Sequence, residues 1–336
     1  MKFWDQYRLR LERKRRRARS LRKRRELTPA ALNVSKIRED DVILFSTVRN
    51  EKIRLPFFFE YYRKLGVNHF CFVDNGSDDG TLEYLISQPD VSVWHTTRSY
   101  KRAGFGMDWL NGLLGAYAVG HWCLVVDVDE FFVYPHCDTR PIQALTHWLD
   151  QSSTRSFGTQ LVDTYPKGKI SEAHYRPGDN PMTVSDHFDT GNYYYERNRK
   201  YGNLWIQGGA RQRGFFAGRP AFAPALNKIP LVKWKRGNVF VSSTHNLLPR
   251  SLNLVYAHNG GQRASGCLVH TKFLEMFSTK TKEELARKQH YAASREYNSY
   301  SKHRGGKNDL WNGQSVKYKD WRQLESLGLM SSGDWA

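Results

Sequence analysis

Cysteine is scarce in this chain: Cys71, Cys123, Cys137 and Cys267 stand far apart, with no CxxC pair. That argues against a disulfide framework and a zinc site, and it suits a reducing compartment. Cys71 and Cys123 lie inside apolar runs and read as small core residues. Long hydrophobic stretches are also missing. No apolar run approaches the roughly 18 residues needed to span a membrane, and the opening residues lack the apolar core of a secretory signal. The expectation is a cytoplasmic protein, soluble or peripheral to the inner face of a membrane. Acidic residues are scarce at the start, where residues 1–26 hold 13 Lys/Arg against 3 Asp/Glu. The whole chain carries +19, so the remaining 310 residues are only mildly basic. In the opening segment Phe3, Trp4, Tyr7 and Leu11 fall at i, i+1, i+4 and i+8, roughly one helical face beside a polybasic block. That layout suits an anionic membrane surface. Nucleic acid would be served by the same charges, and a solvated arm is the plain alternative.

What is present is a core. The 336 residues are 40% hydrophobic and 14% aromatic, enough for one large or two smaller domains. After a basic helix or arm over 1–38, short β-branched or aromatic runs at 42–48, 68–74, 91–96 and 122–129 alternate with helical patterns at 53–66, 81–88 and 106–120. Such alternation predicts an α/β fold: a mostly parallel central sheet with helices on both faces. Ligands of these sheets bind at the carboxyl ends of the strands. Polar residues gather there: Arg49, Asn50 and Glu51 after the first strand, Asp74 and Asn75 after the second, Asp127 and Asp129 after the fourth. Residues 39–135 therefore read as a ligand-binding half, 136–277 as a second half of the same domain, and 278–336 as a helical C-terminal end. In that second half a helix is expected at 141–151, strands at 156–165 and in "LNKIPLVKW", and a strand running into a helix over 266–277.

The run "HWCLVVDVDEFFVYP" sets three acids in an apolar strand. Buried carboxylates need a cation, a basic partner or water. Carboxylates at i and i+2 point to one side of an extended chain, so Asp127 and Asp129 would clamp a divalent cation at the strand's exit. Hard oxygen ligands suit Mg²⁺ or Mn²⁺, which also take phosphate oxygens. Glu130, on the side of Val128, is better placed to orient a neighbouring basic group.

"TVRNE", "FVDNGSDDGT" and "LVVDVDEF", in this order at three strand ends, resemble family 2-like glycosyltransferases with the nucleotide-sugar-binding fold called GT-A. The likeness is best with a subgroup carrying an Asp-x-Asp-Glu-Phe strand. It spans about residues 40–135 and returns in "GGARQRGFF", "LNKIPLVKW", "STHNL" and "LVHTKF". It implies a metal-dependent transfer of a sugar from a nucleotide-diphosphate sugar to a hydroxyl acceptor, a glycan or lipid-linked saccharide. Thr47, Arg49, Asn50 and Glu51 would line the base and ribose pocket. Asp74 would hydrogen-bond base or ribose, with Asn75 shaping the turn; Asp78 and Asp79 read as helix caps. Asp127 would meet the ribose or the metal through water, and Asp129 would bind the metal bridging the phosphates. Asp108 and Asn111 would meet the donor sugar. His270 would complete the metal site and Lys272 meet the diphosphate, with His245 the competing histidine and a catalytic candidate. Arg211 and Arg213, after two glycines that allow close backbone approach to a ligand, suit phosphate or carboxylate.

The family's usual Glu-Asp pair and Gln-x-x-Arg-Trp stretch are missing. The general base is thus open among Asp163, Asp186, Asp189 and Glu196, and so is the choice between inverting and retaining chemistry. Two rivals are a haloacid-dehalogenase-like phosphatase, which also uses a strand ending in Asp-x-Asp, and a basic nucleic-acid-binding protein. The first places its motif at the start of the domain; the second leaves acids at three strand ends unexplained.

Overall fold

A computed structural model describes residues 3–257, 263–287, 289, 300 and 309–335. Its first half follows the sequence pattern closely. Helix α1 (Phe3–Lys23) leads into strand β1 (Thr28–Ala31), then β2 (Ile43–Val48), α2 (Leu55–Leu65), β3 (His69–Asp74), α3 (Thr81–Ile86), β4 (Val91–His95), α4 (Met107–Tyr117) and β5 (Trp122–Val125). Gly66 stops α2: its φ of +100° is left-handed, and its N–H returns to the Arg63 carbonyl at 3.0 Å. The second half adds β6 (Glu130–Val133), α5 (Ile142–Gln151), β7 (Ser156–Tyr165), α6 (Pro181–Val184), β8 (His187–Phe188), β9 (Tyr193–Arg197), β10 (Leu204–Gly208), α7 (Gly209–Phe215), β11 (Asn227–Lys233), β12 (Val239–Ser242), β13 (Asn246–Leu248), β14 (Gly266–His270), α8 (Phe277–Arg287), β15 (Val316–Lys317) and α9 (Trp321–Ser326).

The main sheet runs β1-β4-β3-β2-β5-β11-β7-β14-β6. Strands β4, β3, β2 and β5 are parallel; β11 enters antiparallel between β5 and β7, and β14 lies parallel to β7. Six of these nine strands therefore point one way, with β1, β11 and β6 reversed. The fold is α/β with a mostly parallel central sheet, and the reversed strands are what the alternating sequence pattern did not signal.

Both faces of the sheet are covered, so its strands are apolar on both sides. Along β3, Phe70 and Phe72 join the core with α2, while Cys71 and Val73 face α4. Cys71, Cys123 and Cys267 are buried, and all four cysteines are free thiols. The basic segment is an ordered helix fixed to the body. Leu9 and Ser20 are buried, the Arg16 guanidinium donates to the Val241 carbonyl at 2.8 Å, and Glu12 accepts from the Tyr201 hydroxyl at 3.0 Å. No described helix is long and apolar enough to cross a membrane. The helical C-terminal end expected over 278–336 begins with α8, up to Arg287, and most of residues 288–308 lie outside the described residues.

Candidate functional site

At the carboxyl ends of β2 and β5, and of β7 and β14 beyond them, lies a cleft of about 320 Å³. Its first wall is the sequence reading of the nucleotide side. Thr47, Arg49, Glu51, Asn75, Asp127 and Asp129 all line it. The Thr47 hydroxyl is buried and has no hydrogen-bond partner among the described residues. Gly106 lies against it, at a φ of +77° and so close that a Cβ would stand 2.9 Å from the Thr47 hydroxyl. Arg49 donates to the Asn75 carbonyl at 2.8 Å and pairs with Glu283 of α8 at 3.1 Å.

Four anticipated donor contacts, Asn50, Asp74, Asp108 and Asn111, lie outside the cleft lining. Asp74 is fully buried and closes its own turn, accepting from Gly76 N–H at 3.1 Å and meeting His95 Nδ1 at 2.8 Å. Asn50, with a left-handed φ of 52°, accepts from the Asp78 N–H at 3.0 Å and so ties the two loops together. Asp79 receives the Thr81 N–H at 2.9 Å in the turn ahead of α3, but the helix's N-cap is Gly80 and no side chain caps it, so the capping expected of Asp78 and Asp79 is corrected to turn closure. Asp108 and Asn111 are a clearer correction. They share one face of α4, and α1 and β12 cover that face. Asp108 pairs with Arg19 at 2.7 Å, and Asn111 brackets Phe240, giving to its carbonyl at 3.0 Å and accepting its N–H at 2.8 Å.

The acidic motif is not an extended strand. Strand β5 ends at Val125, and residues 127–130 form a turn closed by Glu130 N–H to the Asp127 carbonyl at 3.0 Å. The same-side argument for Asp127 and Asp129 is therefore replaced by turn geometry. Helix α2 holds the turn: the buried Tyr62 hydroxyl donates to the Glu130 carbonyl at 2.7 Å and accepts the Phe132 N–H at 3.1 Å. From the other side, Thr271 N–H reaches the Asp129 carbonyl at 2.8 Å. Glu130 turns away from the solvent side of the cleft and pairs with Lys228 of β11 at 2.8 Å. This is the basic partner expected for it.

The second wall is built from strand side chains. Register places His270 of β14 opposite Glu130 of β6 and beside Asp163 of β7. His270 Nδ1 lies 2.6 Å from Asp163 Oδ1, and its Nε2 lies 3.3 Å from Asp129 Oδ2. Asp163 Oδ2 in turn receives Arg211 Nε at 2.7 Å. A relay Asp129–His270–Asp163–Arg211 thus runs behind the cleft and ends on Arg211, which also lines it. Burial works against His270's charge, but the Asp129 and Asp163 carboxylates outweigh it and raise its pKa. Burial likewise favours the neutral forms of Asp129 and Asp163; the His270 imidazolium holds Asp129 well below the carboxylate range, and Arg211, then His270, lower Asp163. Asp127 is the opposite case. Its side chain is open to water in the cleft, yet the burial around it and the Glu130 carboxylate, with Asp129 adding, push it up to about 7.

Arg213 is the other correction. It sits two residues from Arg211 on α7, so the two side chains leave on opposite faces. Arg213 makes a two-pronged pair with Asp189, both contacts at 2.9 Å, away from the cleft. The two glycines ahead of them serve the backbone, not a ligand: a Cβ on Gly208 would lie 2.0 Å from the Asn192 carbonyl. His245 and Lys272 line the cleft as anticipated. His245 Nδ1 meets the Asn227 carbonyl at 2.5 Å, which makes Nδ1 the protonated nitrogen and Nε2 the basic one in the neutral ring. Of the possible bases, Asp163, Asp186, Asp189 and Glu196 are all absent from the lining, and Asp163 is buried in the relay.

Sequence reasoning missed Arg54, Lys280, Glu283 and Arg287 in this lining. Arg54 is buried, pairing with Glu51 at 3.3 Å and donating to the Thr271 carbonyl at 3.0 Å. Lys280 also pairs with Glu51, and Arg287 donates to the Asn75 side chain at 3.2 Å. The signal for these three was spacing: 280, 283 and 287 fall on one helical face. Burial raises Glu51 even though both cations oppose it. Among the described residues, no group of three or more His, Cys, Asp or Glu is placed to hold a metal ion.

No family model matches the sequence, and no curated protein matches it. Among solved structures, the chain is similar to a 4-diphosphocytidyl-2C-methyl-D-erythritol synthase, with 16% identity and a TM-score of 0.24 over 42% of this chain and 66% of that one. It is also similar to a Bacillus anthracis protein assigned as a glucose-1-phosphate thymidylyltransferase, solved in complex with a sucrose. There the identity is 12% and the TM-score 0.28, over 85% of this chain and 93% of that one. Both likenesses are remote.

Proposed function

We propose that this chain is a metal-dependent glycosyltransferase that moves a sugar from a nucleotide-diphosphate sugar to a hydroxyl acceptor, a glycan or lipid-linked saccharide. The observation that carries the reading is the meeting of Asp129 with the His270 relay inside a cleft lined by lysines and arginines. Carboxylates alone would repel a diphosphate, and cations alone would not need them.

Asp129 and His270 would fit a divalent ion once the imidazolium gives up its Nε2 proton to make room for it. Donors about 3 Å apart are spaced as adjacent ligands of one octahedral cation with bonds near 2.1 Å, and this pair stands at 3.3 Å. Asp163 would orient His270 from behind, the usual service of a carboxylate to a metal-ligating imidazole. Asp127, on the same turn, would meet the ion only through water, since the described side chains do not gather as a group of three ligands. Mg²⁺ or Mn²⁺ rarely sits in an all-protein cage, so substrate phosphate oxygens would fill the remaining positions. The bound cation would act as a Lewis acid on the departing diphosphate. Lys272 and Arg287 are cationic groups of the lining suited to the phosphates, and Thr47, Arg49 and Asn75 line the end suited to the nucleoside. His245, with its basic Nε2, is the lining group best equipped to take the acceptor's proton.

The test is a thermal-shift panel of nucleoside diphosphates and their sugars, with and without Mn²⁺. A ligand of the folded state raises the melting temperature with its saturation. One nucleotide should stabilise the protein only with the metal, and Asp129→Ala should abolish both this shift and transfer, while its own melting temperature falls only by the lost pairing with His270. Metal-independent stabilisation, or full activity of Asp129→Ala in chelator, sinks the reading.

A further inference from the structure

Helix α1 has two faces with different fates. Leu9, Arg16 and Ser20 pack against the body. On a wheel of 3.6 residues per turn, Trp4, Tyr7, Leu11 and Ala18 fall within an arc of about 60° on the opposite side. The three large residues of this arc are exposed, at 68%, 47% and 46%. Arg8, Lys14, Arg15 and Arg22 are exposed as well and lie in or beside the same arc. Large apolar side chains on a fixed surface helix normally turn inward; here the docked face is elsewhere and the apolar stripe points out.

From this geometry we infer that the outward face of α1 binds the surface of an anionic lipid bilayer. The apolar end, Trp4 to Leu11, enters the boundary between headgroups and acyl chains, and Lys14, Arg15 and Arg22 lie against anionic headgroups. Charge complementarity selects the sign of the lipid, and the apolar residues select lipid over other polyanions. Tyr and Trp suit the bilayer interface, with one polar edge and one apolar body, and Leu11 and Ala18 gain nothing from a sugar-phosphate backbone. The helix lies in the membrane plane, as amphipathic helices of this composition do. The inference rests on α1 alone and stands whether or not the cleft transfers a sugar.

The test uses the full chain sedimented with phosphatidylcholine vesicles, with and without phosphatidylglycerol. Binding should require phosphatidylglycerol and weaken as salt is raised. A set of Trp4→Ala, Tyr7→Ala and Leu11→Ala should lose roughly tenfold or more in binding. A set of Lys14→Gln, Arg15→Gln and Arg22→Gln should lose roughly fivefold per charge, or about a hundredfold together. All six residues are on the outward face, so circular dichroism and melting should not change. If one set fails to fold, the other still decides. Equal binding to both vesicle types overturns the inference, as does binding that survives either set. So does RNA that displaces the protein from vesicles and binds the apolar set undiminished, which would mark a polyanion site.

Discussion

The two walls of the cleft are made in different ways. The first is a row of loops at the ends of parallel strands, where Arg49, Asp127 and Asp129 reach solvent through short turns and the buried Asn75 lines the cleft. The second is made of side chains that leave the strands themselves: Lys228 from β11 and His270 from β14, with Asp163 of β7 behind His270, all buried. Loops of the first kind tolerate change, because backbone and water share their charges. Charges of the second kind were taken out of water and depend on each other. Function and stability should therefore separate on the first wall and coincide on the second.

The largest expected effect tests that coincidence. Asp163→Ala takes a buried carboxylate away from both the Arg211 guanidinium and His270 Nδ1. Breaking such a pair costs about 3–5 kcal/mol, or about 4–7 °C of melting temperature for a chain of this size. Arg49→Ala removes a half-buried pair with Glu283 and should cost less than about 1 kcal/mol. Thermal and urea unfolding of the two variants would break the comparison if their losses were equal.

A smaller effect concerns a residue that the sequence assigned to the donor. Asn111 bonds both backbone groups of Phe240, so it joins α4 of the first half to β12 of the second. Asn111→Ala should cost about 1–3 kcal/mol, the penalty of leaving buried groups unsatisfied, with kcat and KM unchanged. A raised KM for the donor at unchanged stability would restore it to the site.

Why the sequence misplaced Asn111 is the same reason it read the first wall better than the second. Local periodicity shows that α4 has a polar face, but not that α1, some ninety residues earlier, covers it. Strand ends in a parallel sheet follow one another in sequence, so Arg49, Asn75, Asp127 and Asp129 were legible as a row. Strand β11 enters the sheet between β5 and β7 from far along the chain, and no local pattern announces that Lys228 will meet Glu130. The relay depends on β14 lying between β7 and β6, again a long-range pairing. His270 stood out because "LVHTKF" carried the family resemblance; Asp163 appeared only as one acid among several.

The smallest effect separates the two carboxylates of one turn. The fold raises Asp127, so its contribution to stability is full below the ordinary carboxylate pKa of about 3.9 and is lost as pH rises through about 7. The fold depresses Asp129, so its contribution is present above the ordinary value and is lost only as pH falls toward the depressed one. His270, raised, loses its contribution at still higher pH than an ordinary imidazole. In chelator, the melting temperature should therefore fall as pH rises from about 5 to 8. Asp127→Asn should remove the part of that fall near neutrality and leave the His270 part in place. Asp129→Asn should instead lower stability at neutral pH and flatten the curve on the acid side. Because water reaches Asp127 in the cleft, the Asp127→Asn difference is the slightest of the three effects. Superimposable pH curves for the two Asn variants would show that the turn does not distinguish its two acids.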